Sequence, residues 1–113
     1  MASVTYSNSA NIEYIAALKI IHHYFTEKEL PELGNEHINL FEAELKSAEK
    51  RLAVNPELYP LRDDYPSLHY GKKYRSFTVH WFVVFYTYTE ADGVIVWHIR
   101  PSRSDYSNII WLP

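Results

Sequence analysis

Residues 72–108 read KKYRSFTVHWFVVFYTYTEADGVIVWHIRPSRSDYSN, and the architecture turns on how this stretch is taken. It contains runs rich in β-branched and aromatic residues, Tyr74–Val79, Phe82–Thr89 and Val94–Arg100, each too short and too alternating for a helix. Glu90-Ala91-Asp92-Gly93 separates the last two and is a good turn, because the Asp-Gly pair supplies a residue at ease with positive φ. His80-Trp81 separates the first two and leaves room only for a two-residue turn, although neither side chain favours the left-handed backbone such turns require. The stretch predicts an antiparallel three-strand meander.

Strict alternation gives the middle strand one face of Phe82, Val84, Tyr86 and Tyr88 and another of Val83, Phe85 and Thr87. Both faces are mostly apolar, as expected of a strand covered on both sides or of one that presents a face to a partner. In the last run Val94, Val96, His98 and Arg100 fall on one side, and Ile95, Trp97 and Ile99 on the other. The polar groups gather at its C-terminal end and Arg103 follows, so a basic rim is expected at one edge of an apolar sheet.

Length and composition bound the rest. A chain of 113 residues with 47% hydrophobic and 16% aromatic content is expected to form one domain, residues 1–113, around its own core. The absence of cysteine excludes a disulfide framework and thiolate metal ligands. The first ten residues, MASVTYSNSA, lack a basic start and an apolar run, and nothing approaches the length of a membrane span. A cytoplasmic protein without membrane association is expected. The net charge of −3 divides unevenly, −5 over residues 1–71 and +2 over residues 72–113. A locally basic sheet could meet phosphates, but the whole field will not draw nucleic acid strongly.

Val4-Thr5-Tyr6 reads as a short edge strand, and Ser7-Asn8-Ser9 offers N-caps for a helix over about Ala10–Thr26. Its apolar stripe comprises Tyr14, Leu18, Ile21 and Phe25 with Ala17 and Tyr24, while Glu13, Lys19 and His23 form the polar side. Glu27–Asn35, with Pro31 and Gly34, reads as a break before a second helix over about Glu36–Ala53, buried through Ile38, Phe41, Leu45, Ala48 and Leu52. Asn55-Pro56 ends that helix. The resulting αα-hairpin needs the sheet to cover its apolar faces, which makes the fold α+β. Residues 55–71 read either as a functional loop or as a wrapped segment pinned by Leu58, Tyr59, Leu61, Tyr65, Leu68 and Tyr70. The apolar tail Asn108–Leu112 either closes the core or awaits a partner.

The order β-α-α-β-β-β, together with YRSFTVHWFVVFYTYTEADGVIVWHIRPSRSDYSNII over residues 74–110, resembles the RelE/ParE superfamily of bacterial type II toxin–antitoxin toxins. The resemblance lies in a Tyr-Arg strand, a tight turn, an aliphatic strand ending in Phe-Tyr, an acidic turn, and a last strand leading to a basic segment and Asp-Tyr. It implies a growth-inhibiting toxin that forms a hetero-oligomer with a cognate antitoxin and needs no cofactor or metal. ParE-like members inhibit DNA gyrase. RelE-like members cut mRNA on the ribosome by attack of a ribose 2′-hydroxyl on the adjacent phosphate, which calls for a base, an acid and cations around the transition state. The fold is shared, so the target must be read from the site.

The candidate site residues implied by the resemblance are Arg75, His98, Arg100, Arg103 and Tyr106. Arg75 would meet a phosphate or a partner, or else stand as a solvated cation on the sheet. Arg100 and Arg103 would form the cationic cluster, with an Arg103–Asp105 ion pair as the plainer alternative. His98 could exchange protons near neutrality, and Tyr106 could stack on a base or assist proton transfer, or simply pack. RNA-cutting relatives commonly carry an arginine three residues before the Tyr that ends the aliphatic strand, and here that place holds Val83. The expected picture is an apolar hollow ringed by guanidinium groups, with gyrase inhibition slightly favoured over ribosome-dependent mRNA cleavage. His22, His23, His37, His69 and His80 show no metal-ligand spacing.

Overall fold

Ser7 follows the three-residue strand β1 (Val4–Tyr6) and, in extended conformation, caps helix α1 (Asn8–Glu27) by accepting the Ala10 N–H at 3.1 Å. The computed structural model describes residues 1–62 and 73–102. Helix α2 (Pro31–Val54) returns antiparallel to α1, and strands β2 (Arg75–Val79), β3 (Phe82–Thr89) and β4 (Gly93–Pro101) complete the sheet. The strand order is β1-β4-β3-β2, with β1 parallel to β4 and the other pairs antiparallel. The expected edge strand, helical hairpin and meander are all present.

The second helix starts at Pro31, five residues before the expected Glu36. Both apparent breakers belong to the helix. Proline has no N–H to leave unsatisfied and suits the first helical position. The reversal itself falls on Glu29, at φ 58, with Leu30 N–H bonded to Phe25 O at 2.8 Å. Gly34 lies inside the helix because a Cβ there would stand 3.1 Å from the Phe25 Cβ, so it lets the two helices meet closely.

Ala10, Ala17, Ile21 and Phe25 of α1 and Phe41, Leu45, Ala48 and Leu52 of α2 pack on one face of the sheet, formed by Phe77, Val79, Phe82, Val84, Tyr86, Val94, Val96 and Ile99. Tyr14, Leu18 and Ile38 are only partly buried, and Tyr24 is 45% exposed, so the buried stripe of α1 is narrower than the sequence suggested. Tyr6 and Tyr14 donate to Glu49 and Glu42 respectively, fastening α2 to the first strand and first helix. Burial, reinforced by the Glu42 hydrogen bond, pushes the Tyr14 hydroxyl up to about 12.

The opposite face fits the covered alternative for β3. Val83, Phe85 and Thr87 are buried there, as are Ser76 and His98, and Phe85 is wholly inaccessible. Of the residues thought to pin the connection after α2, Tyr59 stacks on Phe77 with ring centroids 4.9 Å apart, whereas Leu58 and Leu61 are exposed. Tyr65, Leu68, Tyr70 and the tail Asn108–Leu112 lie outside the described residues.

Candidate functional site

The geometry of the last strand departs from simple alternation at one residue. Phe85 pairs with His98 but Tyr86 pairs with Val96, so Trp97 is an extra residue, a β-bulge. Its carbonyl is caught by the Ser7 hydroxyl at 3.0 Å, and its indole N–H donates to Thr87 Oγ1 at 2.8 Å. Ser7 thereby caps α1 and secures the bulge with one side chain. Beyond the bulge the parity is reversed: Ile99 enters the core, opposite Val84, while His98 and Arg100 turn to the other face, opposite Phe85 and Val83. The expectation that His98 shares a face with Val94 and Val96 fails for this reason.

Glu13 then gathers the end of the strand. Strand β1 stops at Tyr6, and α1 runs on beside the edge of β4 that β1 leaves uncovered. Glu13 Oε1 accepts the Ile99 backbone N–H and lies 3.0 Å from His98 Nδ1, while Oε2 lies 2.6 Å from Arg100 Nε. One carboxylate replaces the missing strand as acceptor and holds two of the candidate site residues. It sits in the helix expected to turn it toward solvent, yet its side chain is only 18% exposed. A charge-complement signal was present in the sequence: Glu13 is the sole acid of α1 before Glu27, and the end of β4 is cationic.

Arg75 belongs to a different place. It pairs with Tyr86 on the helix-bearing face, across the sheet from His98 and Arg100. Its guanidinium donates to Tyr59 O at 2.6 Å and lies 3.3 Å from Glu57 Oε2, while the Tyr86 hydroxyl donates to Pro56 O at 3.0 Å. The pair binds the chain leaving α2 to the sheet. Burial pushes the Tyr86 hydroxyl up to about 12, with the nearby Arg75 opposing. The sheet brings His98 and Arg100 together and leaves Arg75 apart, so the Arg75 and Arg100 guanidinium groups stand on opposite faces. Arg103 and Tyr106 lie outside the described residues.

Sequence reasoning also passed over Arg62, which donates to Ser76 Oγ at 2.8 Å. Ser76 lies on the His98 face, opposite Phe85, beside a cavity of about 500 Å³ that Arg62 lines with Thr78, Val83 and Ser102. Nothing in the wording of a proline-rich connection marks this arginine out. A second concavity, about 460 Å³, lies between Ile20 and Tyr24 of α1 and His80, Trp81, Phe82, Pro101 and Ser102. Among the described residues, no group of three or more His, Cys, Asp or Glu side chains is placed to hold a metal ion, and no helix is long and apolar enough to cross a membrane.

A protein-family model described as the ParE toxin of type II toxin–antitoxin systems, parDE, matches residues 14–106, from the first helix through the end of the last strand and beyond. A search of curated proteins gave no significant match. The family implies a cognate antitoxin as partner. With the matched segment covering most of the chain and the β-α-α-β-β-β order in place, this protein belongs to the ParE toxin family and is the toxin of a type II toxin–antitoxin pair.

Proposed function

We propose that this toxin acts by binding DNA gyrase and not by cutting mRNA. The observation that carries the reading is the Glu13 carboxylate lying against both His98 and Arg100. A cation meant to neutralise a scissile phosphate works poorly when a fixed carboxylate already engages it, as Glu13 engages Arg100. Val83, opposite Arg100, adds no charge, and Arg75 faces the other way into backbone carbonyls. The net charge of −3 also opposes entry into a ribosomal site dominated by RNA phosphates.

In this reading His98 and Arg75 are scaffold residues. Arg100, clamped by Glu13, fixes where the chain leaves the sheet toward the target-contacting segment that includes Arg103 and Tyr106. The purified protein is expected to inhibit supercoiling by purified gyrase, and Arg103→Ala to weaken that inhibition by at least about tenfold, the scale of one lost charge-assisted contact. Primer extension on mRNA from expressing cells is expected to reveal no cuts within codons. Such cuts, together with unimpeded supercoiling, would establish the ribonuclease reading instead.

A further inference from the structure

The β2–β3 turn is built around a pair of imidazoles that lies apart from His98, Arg100 and their Glu13 clamp. His37 Nδ1 of α2 and His80 Nε2 of the turn are 2.8 Å apart, a hydrogen-bonding distance that requires one ring to donate and the other to accept. His80 sits at φ 55, in the left-handed region that few residues other than glycine adopt, and its backbone N–H donates to Glu44 Oε2 at 2.7 Å. Its remaining ring nitrogen, Nδ1, is buried and has no hydrogen-bond partner among the described residues. Trp81, beside it, packs against Tyr24, Phe25 and His37.

Tautomer counting gives these contacts a consequence. In the neutral pair His80 can donate from Nε2 to His37 Nδ1, leaving His80 Nδ1 without a proton. If His80 becomes the cation, both its nitrogens carry protons. If His37 becomes the cation, its Nδ1–H must donate, so His80 accepts at Nε2 and carries its own proton on Nδ1. Every singly protonated form that keeps the hydrogen bond therefore places an N–H on a buried atom with no acceptor, and a doubly protonated pair has no acceptor between the rings at all.

The charged and titratable groups around His80 do not cancel this. From α2 come His37, whose charge would repel, and Glu44, which attracts but is already engaged by the backbone N–H. From α1 the turn meets Tyr24 through Trp81, with Lys28 Nζ 4.9 Å from the centre of the Tyr24 ring. The end of β4 contributes Pro101 and Ser102, with Ser102 N–H bonded to Trp81 O at 2.9 Å. Burial, and next the His37 charge, hold the His80 imidazole below its ordinary value, with Glu44 opposing.

We propose that the His37–His80 pair is a pH-sensitive latch that fastens the β2–β3 turn to helix α2, and that protonation releases it and loosens the aromatic groove walled by Trp81. The sign follows from linkage. The unfolded chain takes up a proton at His80 as pH falls below about 6.5, before the folded chain does, so stability declines from there until His80 in the folded chain is itself protonated.

The test uses the full 113-residue chain. The imidazole resonance of His80, followed by NMR from pH 8 to 5, is expected to titrate at lower pH in the folded chain than in urea, with the Trp81 indole N–H resonance moving at the same midpoint. His80→Asn, whose side chain tolerates positive φ, is expected to lose less melting temperature than the native chain between pH 7.5 and 5.5. A folded midpoint equal to that in urea, or a Trp81 resonance indifferent to the titration, would overturn the latch. So would an equal loss of melting temperature in the variant. The NMR titration is made on the native sequence and decides the matter even if the variant does not fold.

Discussion

The two turns of the meander are built in opposite ways. Thr89–Gly93 carries its own instructions: Gly93 takes φ 69 where glycine is unhindered, and the Thr89 hydroxyl accepts the Asp92 N–H at 3.1 Å. Val79–Phe82 does not. It places a histidine at φ 55 and holds it there with Glu44, His37 and an aromatic cluster supplied by the helices. The first turn is held by contacts within its own residues, whereas the second draws its contacts from α2. Local sequence is enough for a turn that asks nothing of its surroundings, and a turn that contradicts local preference points to the contacts that overrule it.

The edge of β4 repeats the contrast. Its first half is covered by β1 through ordinary strand pairing, Val4 to Val94 and onward, and its second half by a single carboxylate from α1. The largest expected effect comes from Gly93→Ala, which strikes the locally encoded end twice. The new Cβ would carry positive φ and would stand 2.8 Å from Ser3 O, the acceptor of the Val94 N–H. A loss of about 3 kcal/mol is expected, read as a lowered urea midpoint with unchanged slope. A loss below about 1 kcal/mol would mean that this turn is less self-sufficient than its sequence implies.

Glu13→Ala is expected to come next, at about 2 kcal/mol, because it strands the Ile99 N–H and leaves His98 and Arg100 without their shared carboxylate. Glu13→Gln, which keeps an acceptor for Ile99, should cost less. If the proposed function is right, these variants also separate scaffold from chemistry: neither should acquire mRNA cleavage merely by removing the Glu13 charge from His98 and Arg100.

What was legible in the sequence follows the same division. The strands, the Asp-Gly turn and the faces of β3 could be read because period-two patterning and turn chemistry are local signals. Pro31 and Gly34 were misread because each has a second meaning, helix start and close helix packing, that depends on Phe25 in the neighbouring helix. The faces of His98 and Arg100 were misread because one bulged residue, Trp97, inverts everything after it, and the bulge is secured by Ser7, some ninety positions away. The candidate site was therefore legible as a cationic strand end, but its clamp, Glu13, was not. Pairing an acid with distant cations requires knowing that α1 continues along the edge that β1 abandons.

The smallest expected effect sharpens the comparison most, because it separates charge from hydrogen bonding at the turn that is imposed from outside. Glu44→Ala removes the acceptor of the His80 N–H and should cost about 1 kcal/mol at pH 7.5. Glu44→Gln retains an oxygen for that N–H and should cost at most about half as much. Its effect on the imidazole has a definite sign: Glu44 favours protonation of His80, so losing its charge should move the His80 titration to still lower pH. Stability would then continue to fall over a wider acid range in the Gln variant than in the native chain, because the folded pair is protonated later while the unfolded chain is unchanged. Identical pH profiles for the two would show that Glu44 holds the turn through its hydrogen bond alone. Divergence below about pH 6.5 would show that the contact holding a disfavoured backbone in place also sets the acidity at which it lets go.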